Sequence, residues 1–249
     1  MTWRDVAGRY RGSAMGLLWS FANPIFMLAV YTFVFSVVFK AKWGTENSQG
    51  QSEFALILFV GLILHSLLAE VLNRAPNLIT GNVNYVKKVV FPLEILPLVS
   101  VGAALFHSAV SLLVLLAAFL AINGSLYWTC LLIPVVVLPL AILIAGIAWI
   151  LASLGVFLRD MSQATGIIST ILLFVSPIFF PISAIPEPFR PYVMVNPLTF
   201  IVEQAREVII WGNLPDWSGL AIYTLLALTV AWAGFAWLQK TRKGFSDVL

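Results

Sequence analysis

Charge along this chain is confined to short islands, and between them lie six uncharged runs, at 12–39, 54–69, 95–122, 125–158, 161–186 and 217–239. A helix that crosses the ~30 Å hydrocarbon core of a bilayer needs about 20 mainly apolar residues. The runs therefore predict six transmembrane helices in an all-α membrane protein. The second run is short and is extended to Leu72, which places the Glu70 carboxylate near the headgroups. The fourth is too long for one upright helix and too short for two spans with a turn. Pro134 and Pro139 are expected to kink it, and Tyr127 and Trp128 to anchor its start at the interface.

Composition agrees: 61% of residues are hydrophobic, 10% are charged and the mean hydropathy is +0.98, outside the range of a soluble domain. Orientation follows from the basic residues. With both termini cytoplasmic, the inner segments hold Arg4, Arg9, Arg11, Arg74, Lys87, Lys88, Arg159, Lys240, Arg242 and Lys243, against Lys40, Lys42, Arg190 and Arg206 outside. That asymmetry fits the positive-inside rule. Residues 1–16 lack the apolar core and small-residue cleavage site of a secretory signal. Trp3, Val6, Ala7, Tyr10, Ala14 and Leu17 recur at helical spacing while Arg4, Asp5, Arg9 and Arg11 take other faces. This is the pattern of a helix lying in the headgroup plane, or equally of a basic flank that orients the first span.

Several chemistries are excluded. Cys130 is the single cysteine, so a disulfide or a cysteine-based metal site within one chain is ruled out. Neither a GxxxxGK[ST] phosphate loop nor a Rossmann glycine fingerprint occurs, so nucleotide hydrolysis by those routes is not expected. An intramembrane enzyme would need a nucleophile with a base, a metal cluster or paired carboxylates, and none is visible. The deep ionisable groups are His65 and His107, with Glu70 near the inner surface; they suit a proton relay or, more simply, neutral histidines hydrogen-bonded between helices. No internal repeat or composition break divides the chain, which reads as one membrane domain over 1–249. No metal, cofactor or nucleic-acid site is expected in it.

Two segments between the runs stand out. In 73–94, Tyr85, Val86, Val89, Val90 and Phe91 surround Lys87 and Lys88, and Pro92 stops any helix begun near Asn84. Such a short amphipathic helix suits a groove on a cytoplasmic protein, or an interfacial loop held by headgroups. In 182–214, Pro186, Pro188, Pro191 and Pro197 break the chain into pieces too short to span, while Phe189, Tyr192 and Phe200 keep it apolar enough to dip inward. That makes it a re-entrant segment or an ordinary outer loop. Arg159 and Asp160 adjoin the turn between the fourth and fifth spans, where an ion pair would fix that turn or meet a lipid diphosphate or a cytoplasmic partner.

RYRGSAMGLLW at 9–19, KKVVFPLEILPL at 87–98, FLRDM at 157–161, SPIFFP at 176–181, NPLT at 196–199 with Arg206, and KTRKGFSDVL at 240–249 together resemble, in order, the motifs of membrane subunits of ATP-binding-cassette exporters for O-antigen and teichoic acid polysaccharides. The resemblance implies an interface helix within 1–16, a coupling helix in 73–94 and an outer gate in 182–214. It also implies two copies forming a channel in a bacterial inner membrane, with two separate ATPase subunits binding ATP and magnesium. The ATPase-coupling residues would be Tyr85, Lys87, Lys88, Phe91, Pro92 and Glu94. Arg9 and Arg11 are candidates for a lipid diphosphate, because guanidiniums form charge-assisted bonds to phosphate; attraction to anionic membrane lipid predicts the same pair. A polysaccharide offers apolar C–H faces, which flat aromatic walls hold weakly. Tyr31, Phe35 and Phe39, every four residues on one face, and Phe174 and Phe179 are the lining candidates; packing against neighbours or lipid is the other reading. The alternatives are an exporter of another lipidic or small substrate and a membrane scaffold without a transport path.

Overall fold

The computed structural model describes residues 1–10, 12–38, 51–87 and 91–248, without the side chains of 36, 37, 51–53, 86, 87, 246 and 247. The described residues contain helices and turns and no strand. In chain order the helices are α1 (Thr2–Arg9), α2 (Trp19–Tyr31, continued by a π-helical stretch Thr32–Val38), α3 (Gln51–Arg74), α4 (Asn77–Thr80), α5 (Val83–Lys87), α6 (Ile95–Asn123), α7 (Ile133–Phe157), α8 (Met161–Val175), α9 (Arg190–Met194), α10 (Pro197–Arg206), α11 (Trp217–Thr241) and α12 (Phe245–Val248). The end of the bundle bearing α1, α4, α5 and α12 is called proximal and the end bearing α9 and α10 distal.

Five helical stretches are long and apolar enough to cross a membrane: Gly16–Phe35, Phe54–Arg74, Ile95–Asn123, Trp128–Phe157 and Trp217–Gly244. The run at 161–186 departs from expectation. Its helix α8 has 15 residues, a rise of only ~23 Å. The cause is local: Ser176 precedes Pro177 and is extended, with φ −74° and ψ 149°, because a proline disfavours the helical conformation of the residue before it. The 125–158 run also differs. Trp128–Leu132 forms a 3-10 turn and Pro134 sits in the first turn of α7, where its missing N–H is no loss, so it starts the helix rather than kinking it. Pro139 alone lies inside α7. The amphipathic helix is shorter than the 1–16 segment expected: α1 closes at Arg9, and Gly12 at φ 90° cannot continue it.

α3 is the axis of the bundle. Its Leu56, Leu64, Leu67 and Leu68 are buried against Leu115 of α6, Leu140 and Ile144 of α7, and Ile201 of α10. Between apolar helices in lipid, close packing replaces the hydrophobic effect as the cohesive term, so small residues mark the tightest crossings. At the α7–α11 crossing a Cβ on Gly234 would fall 2.2 Å from the Gly146 carbonyl oxygen. Gly155 of α7 lies under the loop to α4, where a Cβ would fall 2.0 Å from the carbonyl oxygen of Pro76. A second cluster of Ile79, Leu93, Ala152, Val156, Leu238 and Phe245 fills the proximal end, between the 73–94 segment, α7 and the tail.

Candidate functional site

At the proximal end α1 lies across α3 and α6 through a charged lattice. Arg74 donates a two-pronged pair of bonds to Asp5, both 3.0 Å, and Arg9 pairs with Glu70 and, at 3.6 Å, with Asp5. Burial alone would raise the Asp5 carboxyl, but the bonds from Arg74 and the charge of Arg9 outweigh it and hold it below its ordinary value. His107 completes the group: Nδ1 lies 3.1 Å from Arg9 Nη1 and 3.3 Å from Glu70 Oε2. One ring nitrogen cannot both accept from the guanidinium and donate to the carboxylate, and the shorter approach favours acceptance from Arg9. His65 is elsewhere, its Nε2 2.9 Å from the carbonyl of Ser169 on α8. The two histidines thus take different hydrogen-bond partners, His65 on α8 and His107 on α1 and α3.

Above this lattice is a cavity of about 330 Å³ between α1, α2, α3 and α6, walled at one end by Arg9, Tyr10, Glu70 and His107 and at the other by Tyr31, Phe59 and Leu62. The aromatic candidates continue from it. Ring centroids are 6.5 Å apart for Tyr31–Phe35, 6.1 Å for Phe35–Phe179 and 5.9 Å for Phe174–Phe179. Four residues chosen on separate helices and a loop therefore form one chain of rings, joined by Phe54 at 5.8 Å from Phe35. Phe174 is mostly exposed at its distal end. Phe39 lies outside the described residues, as do Arg11 and Lys88 and the side chain of Lys87.

In the described part of the 73–94 segment, 73–87 and 91–94, the chain forms α4 and α5, with Tyr85 and Phe91 stacked at 4.7 Å and packed on the proximal cluster. Pro92 is exposed and Leu93 buried. Glu94 turns inward. Its Oε1 accepts from Gln239 at 2.5 Å and Arg242 at 2.8 Å, and its carbonyl oxygen accepts from the Trp149 indole at 2.9 Å. Burial would raise this carboxyl, but its own amide, Gln239 and Arg242 together hold it below the ordinary value. Arg159 and Asp160 are both exposed and form no ion pair with each other; the turn is closed instead by the Leu158 carbonyl, which accepts from Met161 N at 3.3 Å.

At the distal end Arg206, counted from sequence as a cation outside the membrane, is fully buried. It donates to the carbonyls of Ile57 (3.3 Å), Pro177 (2.7 Å) and Ile178 (3.1 Å) and to Glu203 (2.7 Å), binding the 176–181 loop to α10 and α3. Its presence beside NPLT was a motif signal, but its role as a clamp had no signature in the sequence.

Five apolar helices long enough to cross a membrane, with an amphipathic helix across one end and two short helices, exposed α9 and buried α10, at the other, describe a multi-pass membrane protein. Residues 1–210 match the ABC-2 type transporter family, and the chain belongs to it. Relatives include the O-antigen export system permease protein RfbA of Myxococcus xanthus, 27% identical over 98% of this chain and 92% of that one. RfbA of Klebsiella pneumoniae is 27% identical over 100% and 93%. The polysialic acid transport protein KpsM of Escherichia coli is 25% identical over 96% and 91%. The likeness to exporter membrane subunits drawn from the motifs is borne out.

Proposed function

We propose that two copies of this chain form the channel of an exporter that moves a lipid-linked polysaccharide outward across a bacterial inner membrane. ATP is hydrolysed in two separate nucleotide-binding subunits, which hold the ATP and magnesium; this chain binds no cofactor of its own. The proximal end faces the cytoplasm with both termini, α8 completes a sixth crossing together with the apolar loop after it, and the 73–94 segment receives the ATPase subunits. The segment 182–214 is the outer gate.

One observation carries the reading: the chain of rings from Tyr31 through Phe35 and Phe179 to Phe174 begins in the wall of a cavity with a polar proximal end. A polymer of sugars can slide along such a surface, since each ring offers an apolar face without a deep binding site. The substrate class is supported by relatives named for O-antigen export and polysialic acid transport. Arg9 is the described candidate for the lipid diphosphate, and a phosphate approaching it must compete with Asp5 and Glu70. The test is the ATPase rate of the chain co-purified with its nucleotide-binding subunit, with and without lipid-linked polysaccharide. Stimulation specific to that lipid is expected. A complex indifferent to it would favour another substrate, and no complex would favour a scaffold.

A further inference from the structure

The segment expected to meet the ATPase is fixed at both ends to α7, and at its second end also to the end of α11. Where it leaves α3, the Pro76 carbonyl rests on Gly155 of α7, with no room for even a methyl group between them. Where it enters α6, Glu94 is held by Trp149 of α7 and by Gln239 and Arg242 at the end of α11. α7 and α11 are in turn locked to each other, by Gly146 and Gly234 at mid-length and by Ser153 and Thr241, 2.6 Å apart, at the proximal end.

The distal ends of this pair are bonded to α10 and to the π-helical stretch Glu207–Trp211 that continues it. Thr129, in the turn that begins the α7 rod, donates to the carbonyl of Val208 at 2.7 Å. At the start of α11, the Asp216 amide donates to Gln204 at 2.7 Å and Tyr223 to the Pro197 carbonyl at 2.8 Å. Packed rods bonded at both ends transmit displacement, because close-packed interiors deform little.

We propose that Glu94 is a positioning residue: it makes the 73–94 segment and the α7–α11 pair move as one body, so that a push on the segment reaches the distal helices instead of being absorbed in the loop. The inward carboxylate is part of this lever, not of the surface offered to the ATPase. This inference rests on the reading that the segment receives nucleotide-binding subunits.

The experiment uses the full complex in proteoliposomes and reads three quantities: association, ATP hydrolysis and polymer exported per ATP. Glu94→Ala is expected to keep association and hydrolysis within about twofold while export per ATP falls about tenfold, a typical size for coupling between distant sites. Exchanging the charges, Glu94→Arg with Arg242→Glu, is expected to recover part of it. Should Glu94→Ala not fold, Glu94→Gln and Arg242→Ala give the same readout. Thr129→Val, at the other end of the lever, is expected to lower export per ATP as well and to be non-additive with Glu94→Ala.

Unchanged export per ATP overturns the proposal, as does an additive double variant. Lost association in Glu94→Ala overturns it too, by making the residue a docking contact. If the unaltered chain forms no complex with an ATPase, the reading beneath the proposal fails and takes the proposal with it; if the complex forms and only the coupling effect is missing, that reading stands.

Discussion

Arg206 Nη1 lies 2.7 Å from the carbonyl oxygen of Pro177, across 29 residues of sequence. The contact exists because Pro177 ends α8 and leaves carbonyls that no helical N–H can serve. A guanidinium, with five donors in a planar fork, satisfies several at once, and Glu203 balances its charge. Removing it leaves buried carbonyls and a carboxylate without their donor. Arg206→Met is therefore expected to destabilise the protein by about 3–5 kcal/mol, and Arg206→Lys by less, since a point charge cannot reach all the acceptors. Thermal melting of the detergent-solubilised chain measures the loss, and protease cleavage within 176–216 should rise with it. A melting temperature unmoved by Arg206→Met would remove the clamp assignment.

Gly155 and Gly8 make a matched pair. At Gly155 an added Cβ meets backbone, the Pro76 carbonyl oxygen at 2.0 Å, whereas at Gly8 nothing lies within 4 Å. Gly155→Ala must push the α4 loop off α7 and is expected to cost about 1–3 kcal/mol, as overpacking does. Gly8→Ala in α1 should leave stability unchanged or raise it by up to about 1 kcal/mol through helix propensity. Equal effects at the two sites, read as melting temperatures, would contradict the tight crossing.

Acid should loosen the proximal end. Asp5 and Glu94 both titrate below their ordinary values in the folded protein, because Arg74 and Arg9 in one case, and the Glu94 amide with Gln239 and Arg242 in the other, outweigh burial. A carboxyl lowered by folding contributes its full stabilisation above the unfolded value of about 4. It loses that contribution as pH falls from there through the lowered value, the window in which folded and unfolded chains bind protons unequally. Melting temperature is expected to decline in that acid window, and Glu94→Gln to make the decline shallower. An identical slope in the variant would mean that Glu94 binds protons alike in the folded and unfolded chains.

Much of this architecture was legible because lipid is a demanding solvent: uncharged runs of about 20 residues mark helices with little ambiguity. Misreadings came where a local rule opposed hydropathy. The run at 161–186 is uncharged throughout, yet Pro177 stops α8 at Val175, and Gly12 ends the α1 region before the apolar spacing at Ala14 and Leu17 can be used. The resemblance placed Glu94 among the coupling residues; that the end of α11 folds against its carboxylate has no signature in the pattern of the 73–94 segment. Counting depth put His65 and His107 at similar levels on two helices, but could not show that α1 brings Arg9 to His107. The aromatic candidates came together because spacing of four puts Tyr31 and Phe35 on one face; their junction with Phe179 depends on the α8 break and was not visible beforehand.

That junction allows a test of the path against lipid packing. Phe33, two residues from both Tyr31 and Phe35 on the same stretch of helix, is 61% exposed and absent from the chain of rings. Tyr31→Ala with Phe35→Ala removes two neighbouring sugar platforms. At about 1 kcal/mol per aromatic contact, export of polymer should slow by roughly tenfold or more while the complex stays assembled. Phe33→Ala should leave export near normal, since it deletes the same ring from the other face. Rates of polymer release from matched proteoliposomes decide between them. If Phe33→Ala slows export as much as the double variant does, the rings act through helix packing in lipid and the polymer runs elsewhere.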